Sequence, residues 1–226
     1  MFVQNICKVH YCRNLALSSF DENGNICNSG NYCLDHTPDP GKSKEQIYNF
    51  IQSHDEIIGL NCSGMIFKDI NMSNKKFIGC NFYKCNFTNF HSENINLKLC
   101  IFDYAVFNDC TFIKSETFFT SFSGSHFNHI LFTSSDIIQN NFNGIQAHQS
   151  SFDDSDLFNS RFIKAKLINT SFRNCNLKKA MFLESYRENV SFKMSNTREA
   201  IFVSEGSDIS LGKNTDNSSF SNSEVK

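Results

Sequence analysis

The sequence predicts an all-β rod in which the chain turns a corner every five residues. From residue 62 to residue 202, every fifth position carries mainly a large apolar side chain, in one register without an insertion. Seventeen of these 29 positions are Phe. A period of five fits neither the 3.6-residue period of a helix nor the two-residue period of a strand. We therefore expect the large residue to face the interior of a coiled chain.

A second inward position precedes each large residue by two places and is usually small, as at Cys80, Ala105 and Ser150. Asn or Asp often stands between the two, as at Asn81 and Asp156. This pattern over residues 62–202 resembles the pentapeptide-repeat family, whose motif is A(D/N)LXX. The resemblance implies a right-handed quadrilateral β-helix with four pentapeptides per coil, and thus about seven coils.

The central residues form unmixed columns when they are compared at intervals of 20 residues. One column is Phe82, Phe102, Phe122, Phe142, Phe162, Phe182 and Phe202. Another is Phe112, Phe132, Phe152, Phe172 and Phe192, and a third is Leu97, Thr117, Ile137, Leu157 and Leu177. These columns support four-sided coils, which would stack ~4.8 Å apart into a rod of roughly 35 Å.

Two pentapeptides depart from the pattern. Arg187 occupies a central position, where a buried charge without a partner is costly. We expect a local bulge around Tyr186 and Glu188 that turns Arg187 outward. At Phe90 and Ser92 the large and small positions are exchanged, which conserves the volume of that pentapeptide.

Ten cysteines divide into two groups. Six lie on inward repeat positions and are expected to pack as small apolar residues with free thiols: Cys62, Cys80, Cys85, Cys100, Cys110 and Cys175. The other four precede the rod: Cys7, Cys12, Cys27 and Cys33.

The N-terminal cysteines lie among histidines in a pattern typical of a metal site. Cys7-x4-Cys12 is followed by Cys33-x2-His36 within the segment GNYCLDH. This resembles short bacterial zinc modules that begin with Cys-x4-Cys and end with Gly-x-Tyr/Leu-Cys-x2-His. Three thiolates and one imidazole suit a closed tetrahedral Zn²⁺ site, which would be structural and not catalytic. Cys27 in place of His36 is the alternative, and His10 is a further candidate ligand.

The sequence divides into four segments. Residues 1–41 form the zinc module and a linker, in which Thr37–Gly41 is expected to be a stiff turn. A capping box at Ser43 opens a helix within residues 42–57, which would cover the first coil. Residues 58–203 form the β-helix, and the Ser/Asn-rich residues 204–226 are expected to be disordered. Residues 203–211 or a second copy would then cover the far end, and the resemblance implies a possible homodimer through that C-terminal end.

Charge is unevenly distributed along the rod. Residues 99–157 contain seven acids and one base, whereas residues 158–198 contain nine bases and two acids. Folding at 20 residues places Glu116, Asp136 and Asp156 in one outward acidic column. The same folding predicts a basic ridge on two neighbouring faces, which is a candidate partner-binding surface: Arg173, Lys178, Lys179, Lys193 and Arg198.

The sequence contains none of the common catalytic motifs, namely GxSxG, HExxH, a P-loop or GxGxxG. A non-enzymatic scaffold that binds a protein partner is therefore the favoured function, since a regular rod offers extended faces. The alternative is a DNA mimic that binds a type II topoisomerase, as quinolone-resistance members of the family do. Residues 58–202 hold 15 bases and 12 acids, so the uniform acidity of a DNA mimic is missing. The sequence favours neither membrane insertion nor direct nucleic-acid binding, and we expect a cytoplasmic protein because no secretion signal is visible.

Overall fold

The computed structural model describes residues 5–27 and 31–203. The predicted tail at 204–226 lies outside the described residues. Two short strands, β1 (Ser19–Phe20) and β2 (Ile26–Cys27), form an antiparallel hairpin that is followed by the helix α1 (Pro40–Ser53). The rod then begins with three-residue strands: β3 (Glu56–Ile58), β4 (Ile66–Lys68), β5 (Lys76–Ile78), β6 (Asn86–Thr88), β7 (His91–Glu93), β8 (Asn96–Lys98), β9 (Val106–Asn108), β10 (Thr111–Ile113), β11 (Glu116–Phe118), β12 (His126–Asn128), β13 (Leu131–Thr133), β14 (Asp136–Ile138), β15 (Gln146–His148), β16 (Lys166–Ile168) and β17 (Tyr186–Glu188).

These strands stack into the four faces of a β-helix of about seven coils. The first face contains β3, β5, β8, β11 and β14, the third contains β4, β6, β9, β12, β15, β16 and β17, and the fourth contains β7, β10 and β13. The second face is joined by isolated parallel bridges that run from Asn61 to Ile201. Every partner lies 20 residues away, as in the pairing of Phe87 with Phe107. The predicted fold class is confirmed.

The predicted aromatic columns form the core. Along the Phe82 column, successive ring centroids are separated by distances such as 4.5 Å (Phe82 to Phe102) and 5.1 Å (Phe122 to Phe142), with nearly parallel planes. The Phe112 column meets this column edge-on, since Phe122 and Phe132 are 5.8 Å apart with an interplanar angle of 87°. Parallel rings along the rod and perpendicular rings across it both suit the quadrupole of the aromatic ring.

Side chains at the inward small positions also form hydrogen bonds with the backbone. Ser125 donates its hydroxyl to the carbonyl oxygen of Phe102 at 2.6 Å, and Cys175 donates its thiol to that of Phe152 at 3.1 Å. Serine and cysteine thus satisfy backbone carbonyls of the preceding coil, with the thiol as the weaker donor. Burial raises the pKa of Cys110 to about 11 and that of Cys175 to about 12, so these thiols remain protonated at neutral pH.

The N-terminal end of the rod is covered by α1 and by the segment before it, which contains the N-terminal Cys and His residues. The N–H of Ser18 donates to the carbonyl of Asn61 at 2.9 Å, while the N–H of Asn61 donates to the Ser18 hydroxyl at 2.8 Å. Leu17 enters the apolar core, and the ring of Phe20 lies 4.7 Å from that of Phe50 on α1. This arrangement satisfies part of the strand edge that a β-helix would otherwise expose.

The helix begins earlier than the capping box predicts. Its N-cap is Asp39, whose carboxylate accepts the N–H of Lys42 at 2.9 Å, and Pro40 is the first helical residue. Proline suits this position because its missing N–H has no partner in the first turn of a helix. Ser43 instead donates its hydroxyl to the carbonyl of Asp39 at 3.0 Å. The helix therefore includes the end of the segment that the sequence predicts as a stiff turn.

Arg187 does not turn outward. It lies on β17 opposite Leu167 and is only 4% exposed. The pairing of Lys166 with Tyr186 and of Ile168 with Glu188 keeps this strand in register, so no bulge forms. The expectation of an outward Arg187 was wrong, because the continuous ladder fixes the inward direction of the central residue.

Candidate metal centre and rod surfaces

Three cysteines and one histidine converge beside the N-terminal end of the rod. The ligating atoms of Cys7, Cys12, Cys33 and His36 all lie within 4.8 Å of one another. The Cys12 and Cys33 sulfurs are 3.9 Å apart, and Nδ1 of His36 lies 3.5 Å from the Cys7 sulfur and 3.4 Å from the Cys33 sulfur. The cluster could hold one metal ion.

Two backbone segments present these side chains. The first is a loop closed by the antiparallel bridge between Ile6 and Leu15, within which the N–H of Cys7 donates to the carbonyl of Asn14 at 2.9 Å. The second is a turn in which the N–H of His36 donates to the carbonyl of Cys33 at 3.1 Å. That turn leads directly into the N-cap of α1, so the cluster joins two parts of the N-terminal cap.

Hydrogen bonds within the cluster favour the thiolate form of Cys7. Burial opposes ionisation of Cys7, but N–H donors from Cys33 and Val9 and the side chain of His36 lower its pKa to about 6. Burial and the neighbouring thiols of Cys7 and Cys12 raise the pKa of Cys33. Neither alternative ligand belongs to the cluster: Cys27 lies on β2, and the ring of His10 lies 3.9 Å from that of Tyr11.

The acidic column runs along the first face. Glu116 pairs in register with Asp136, and Asp136 is bridged to Asp156. Asn96 donates its amide to Glu116 at 2.6 Å, and Asn176 donates to Asp156 at 3.0 Å. Amide side chains therefore stabilise the two ends of the column.

The predicted basic ridge contains a counter-ion. Glu199, one residue beyond the basic segment, lies 3.4 Å from Arg198, 3.7 Å from Lys179 and 3.8 Å from Lys178. One carboxylate therefore faces three cations on this part of the ridge. Arg173, on the neighbouring face, donates from Nε to the Ser191 hydroxyl at 3.3 Å and is exposed. Lys193 is also exposed.

The first face also carries apolar side chains that the sequence interpretation did not group together. These side chains form an apolar row at the position that follows the acidic column by two residues. The row is interrupted by Lys98 and consists of Ile58, Ile78, Phe118, Ile138 and Phe158. At the next corner, Leu99 and Phe119 are 51% and 53% exposed. Folding at 20 residues could have revealed this row, since its members follow the same interval as the core.

The family match and the match to QnrB1 agree with this architecture. Residues 155–185 match the family described as pentapeptide repeats. No curated protein sequence matches the chain. Trypsin-treated QnrB1, described as a plasmid-mediated fluoroquinolone resistance protein, is 17% identical with a TM-score of 0.50, and the match covers 66% of this chain and 90% of that one. Rfr23, a pentapeptide repeat protein from the cyanobacterium Cyanothece 51142, is 10% identical over 67% of this chain and 94% of its own, with a TM-score of 0.29.

The helix α1 is too short and too polar to span a membrane, and the described residues contain no other helix that could do so. The columns, the registers of 20 residues and the matching repeats point to one architecture. The rod of this chain is a β-helix with a 20-residue register, residues 155–185 match pentapeptide repeats, and a Cys/His cluster lies at its N-terminal end.

Proposed function

We propose that this protein is a non-enzymatic scaffold that binds a protein partner along the first face of its rod. The observation that carries the proposal is the apolar row beside the acidic column. Aligned apolar side chains rimmed by charge are typical of interaction surfaces, because isolated apolar residues would be scattered over all faces. The flat face also offers a rigid surface, so a partner could bind it with little loss of conformational entropy.

The composition of the row suits protein contact. Phe118 and Phe158 supply large apolar area, while Glu116 and Asp156, each two residues before one of these rings, can orient a basic partner. Lys179 lies with its Nζ 5.9 Å from the Phe158 centroid, so the row ends beside the basic ridge. We propose that Arg173, Lys178, Lys179, Lys193 and Arg198 contribute secondary contacts, although Glu199 lowers the net charge there.

The metal that the cluster would hold is proposed to be Zn²⁺. A tetrahedral zinc with bonds of about 2.3 Å to sulfur and 2.0 Å to nitrogen requires sulfurs about 3.8 Å apart and sulfur–nitrogen separations of about 3.5 Å. The separations of 3.9, 3.5 and 3.4 Å in the cluster fit this geometry. Four protein ligands leave no open position, so the role of the ion is structural. The ion would join two segments on either side of Ser18, which forms hydrogen bonds with Asn61 of the rod.

A second candidate function is binding to a type II topoisomerase as a DNA mimic. Two observations favour it: the acidic column of Glu116, Asp136 and Asp156, and the fold shared with a fluoroquinolone resistance protein. The basic C-terminal third weighs against it, since a DNA mimic must be acidic over the length that the enzyme contacts.

The test is affinity capture from the native organism, with wild-type protein and two variants as bait. The first variant replaces Phe118, Ile138 and Phe158 by Ser on the apolar row. The control replaces three apolar residues on other faces by Ser: the exposed Ile66 and Leu131 and the half-buried Val106. A protein that binds the wild type and the control but not the row variant supports the proposal. Equal recovery by all three baits contradicts it.

A fourth bait, the double Asn variant with Asp136→Asn and Asp156→Asn, separates the two candidate functions in the same experiment. Recovery of gyrase or topoisomerase IV that depends on Asp136 and Asp156 would favour the DNA-mimic function. This would be confirmed with purified gyrase, whose supercoiling activity would then change when the wild-type protein is added but not when the double Asn variant is added.

A further inference from the structure

The acidic column and the apolar row lie side by side on the first face. On three successive coils each acid is followed two residues later by an apolar side chain: Glu116 by Phe118, Asp136 by Ile138 and Asp156 by Phe158. Members of one column are ~4.8 Å apart along the rod, and two residues of a strand span ~6.7 Å. The face thus presents two parallel lines of different chemistry, and both lines run along the rod.

Both lines have defined ends. In the apolar row, Lys98 precedes Phe118, and Lys178 follows Phe158 on the next coil. Four coil spacings separate the two lysines, which is a distance of ~19 Å. A segment that covers the apolar part of the row between these cations therefore has a length of at most ~19 Å.

The acids of the column lack a cation of their own. Among the residues that the structure describes, no ion pair involves Glu116, Asp136 or Asp156. The amides of Asn96 and Asn176 contact the two outer acids but carry no charge. Because like charges at a spacing of ~4.8 Å repel one another, a line of cations from a partner would relieve this repulsion.

The spacing of the two lines distinguishes a helical partner segment from an extended one. Side chains on one face of a strand recur every ~6.7 Å, so three of them span ~13 Å, against the ~9.6 Å that three coils span. Side chains on one stripe of a helix recur every ~5.4 Å, so three of them span ~10.8 Å. Long side chains such as Lys and Arg can absorb the remaining difference of ~1.2 Å. A helix also presents an apolar stripe and a charged stripe next to each other.

We propose that the first face binds an amphipathic helix of the partner, with the helix axis along the rod. Its apolar stripe would pack on Phe118, Ile138 and Phe158, and a neighbouring stripe of Lys and Arg would lie over the acidic column. At a rise of 1.5 Å per residue, the ~19 Å between the lysines holds about 13 helical residues. The exposed Leu99 and Phe119, at the corner beyond the row, would extend the apolar contact. This inference rests on the proposed function, because it names the kind of segment that the same face would bind.

The test is selection from a displayed library of random 16-residue peptides on the full-length protein, with counter-selection on the row variant. The selected sequences should carry apolar residues at intervals of three and four, with Lys or Arg on the neighbouring stripe. Sequences in which apolar and polar residues alternate would indicate an extended segment and would overturn the proposal. Failure to recover any peptide that distinguishes the wild type from the row variant would overturn it as well.

The tightest peptide, made synthetically, provides the second measurement. Its helical circular dichroism should increase when it binds, and its Kd should rise at least tenfold for the row variant. The Kd should also rise about tenfold at low salt for the variant with Asp136→Asn and Asp156→Asn, since two exposed ion pairs are lost. The control variant with Ser at positions 66, 106 and 131 should bind like the wild type. Binding without a gain of helix, or binding that both the row and Asn variants retain, contradicts the proposal.

Affinity capture distinguishes failure of this inference from failure of the proposed function. A captured partner that requires the apolar row, but whose bound segment is extended by NMR, would leave the scaffold function in place and overturn the helix. Equal recovery by all baits would instead contradict the proposed function itself.

Discussion

Lys75 donates two hydrogen bonds from inside the first coils to the C-terminal end of the helix, the shorter being 2.8 Å to the carbonyl of His54. The last carbonyls of a helix have no partner within the helix, and a cation placed there also complements the helix dipole. One side chain therefore connects the cap and the rod, although its position in the repeat favours a small residue.

Replacement of Lys75 by Met should separate the packing of this side chain from its hydrogen bonds. Methionine retains the apolar length but leaves the carbonyls of Gln52 and His54 without this donor, so the free energy of unfolding should fall by about 1–3 kcal/mol. Lys76→Met is the control, because Lys76 forms a half-exposed pair with Glu56 at 3.0 Å, which contributes less than about 1 kcal/mol. Urea unfolding measures both. Equal losses would show that Lys75 acts only as another surface charge.

The aromatic columns should dominate the stability of the rod. Phe142 is fully buried and stacks 5.1 Å from Phe122 and 4.8 Å from Phe162. Phe142→Ala should lower the free energy of unfolding by about 3–5 kcal/mol, because it leaves a cavity between two rings. Phe119→Ala, on the surface, should stay within about 0.5 kcal/mol of the wild type. A small effect of Phe142→Ala in the same urea titration would mean that the coils collapse around the gap.

Metal content tests the cluster directly. Protein purified under reducing conditions should contain about one zinc per chain by atomic emission. Cys33→Ser should lose the metal and the fixed structure of the N-terminal cap, since metal binding supplies folding energy to such small modules. Cys27→Ser is the matched control, because Cys27 lies on β2 and outside the cluster. Loss of zinc from Cys27→Ser but not from Cys33→Ser would contradict the assigned ligands.

The pH dependence of stability has a specific contribution from His129, which follows β12 on the third face. His129 contacts Asp109 through Nδ1 at 3.0 Å and Gln149 through Nε2 at 2.6 Å. Because both partners present oxygen acceptors, the doubly protonated ring is favoured, and the side chains of Asp109 and Gln149 raise the pKa of His129. Stability from this contact is fully present below the unfolded pKa of about 6.5 and is lost as pH rises through the higher folded value.

NMR titration of the histidine ring protons measures this shift. Asp109→Asn should lower the pKa of His129 toward its ordinary value, whereas Asp103→Asn, on another face, should leave it unchanged. An unshifted His129 in the wild-type protein would show that the contact with Asp109 does not persist in solution.

The regular part of the fold could be predicted from sequence because one physical requirement repeats in every coil. Along the aromatic columns, a central residue such as Phe122 has the same residue type above and below it, so a 20-residue interval gives both register and burial. The resemblance to short zinc modules similarly predicted that Cys7, Cys12, Cys33 and His36 lie together, although the sequence left Cys27 open in place of His36.

The ends of the rod could not be predicted in this way, because repetition stops there. The capping box at Ser43 is a local pattern, but the helix begins at Pro40, where Asp39 can accept an N–H. An inward Lys75 has a partner only because α1 ends above it. Arg187 points inward because its strand pairs in register with the strand of Leu167. The argument that burying a charge is costly considers Arg187 alone and does not reveal this pairing.

The unbroken 20-residue register also has a genetic consequence. Duplication or loss of one whole coil in the coding sequence would change the length of the rod while leaving each remaining side chain with the same type of neighbour. Loss of a single codon would instead turn every downstream Phe away from its column, as Phe87 and Phe107 align only through this interval. We therefore expect the rod to tolerate changes of length in whole coils and to be disrupted by smaller insertions.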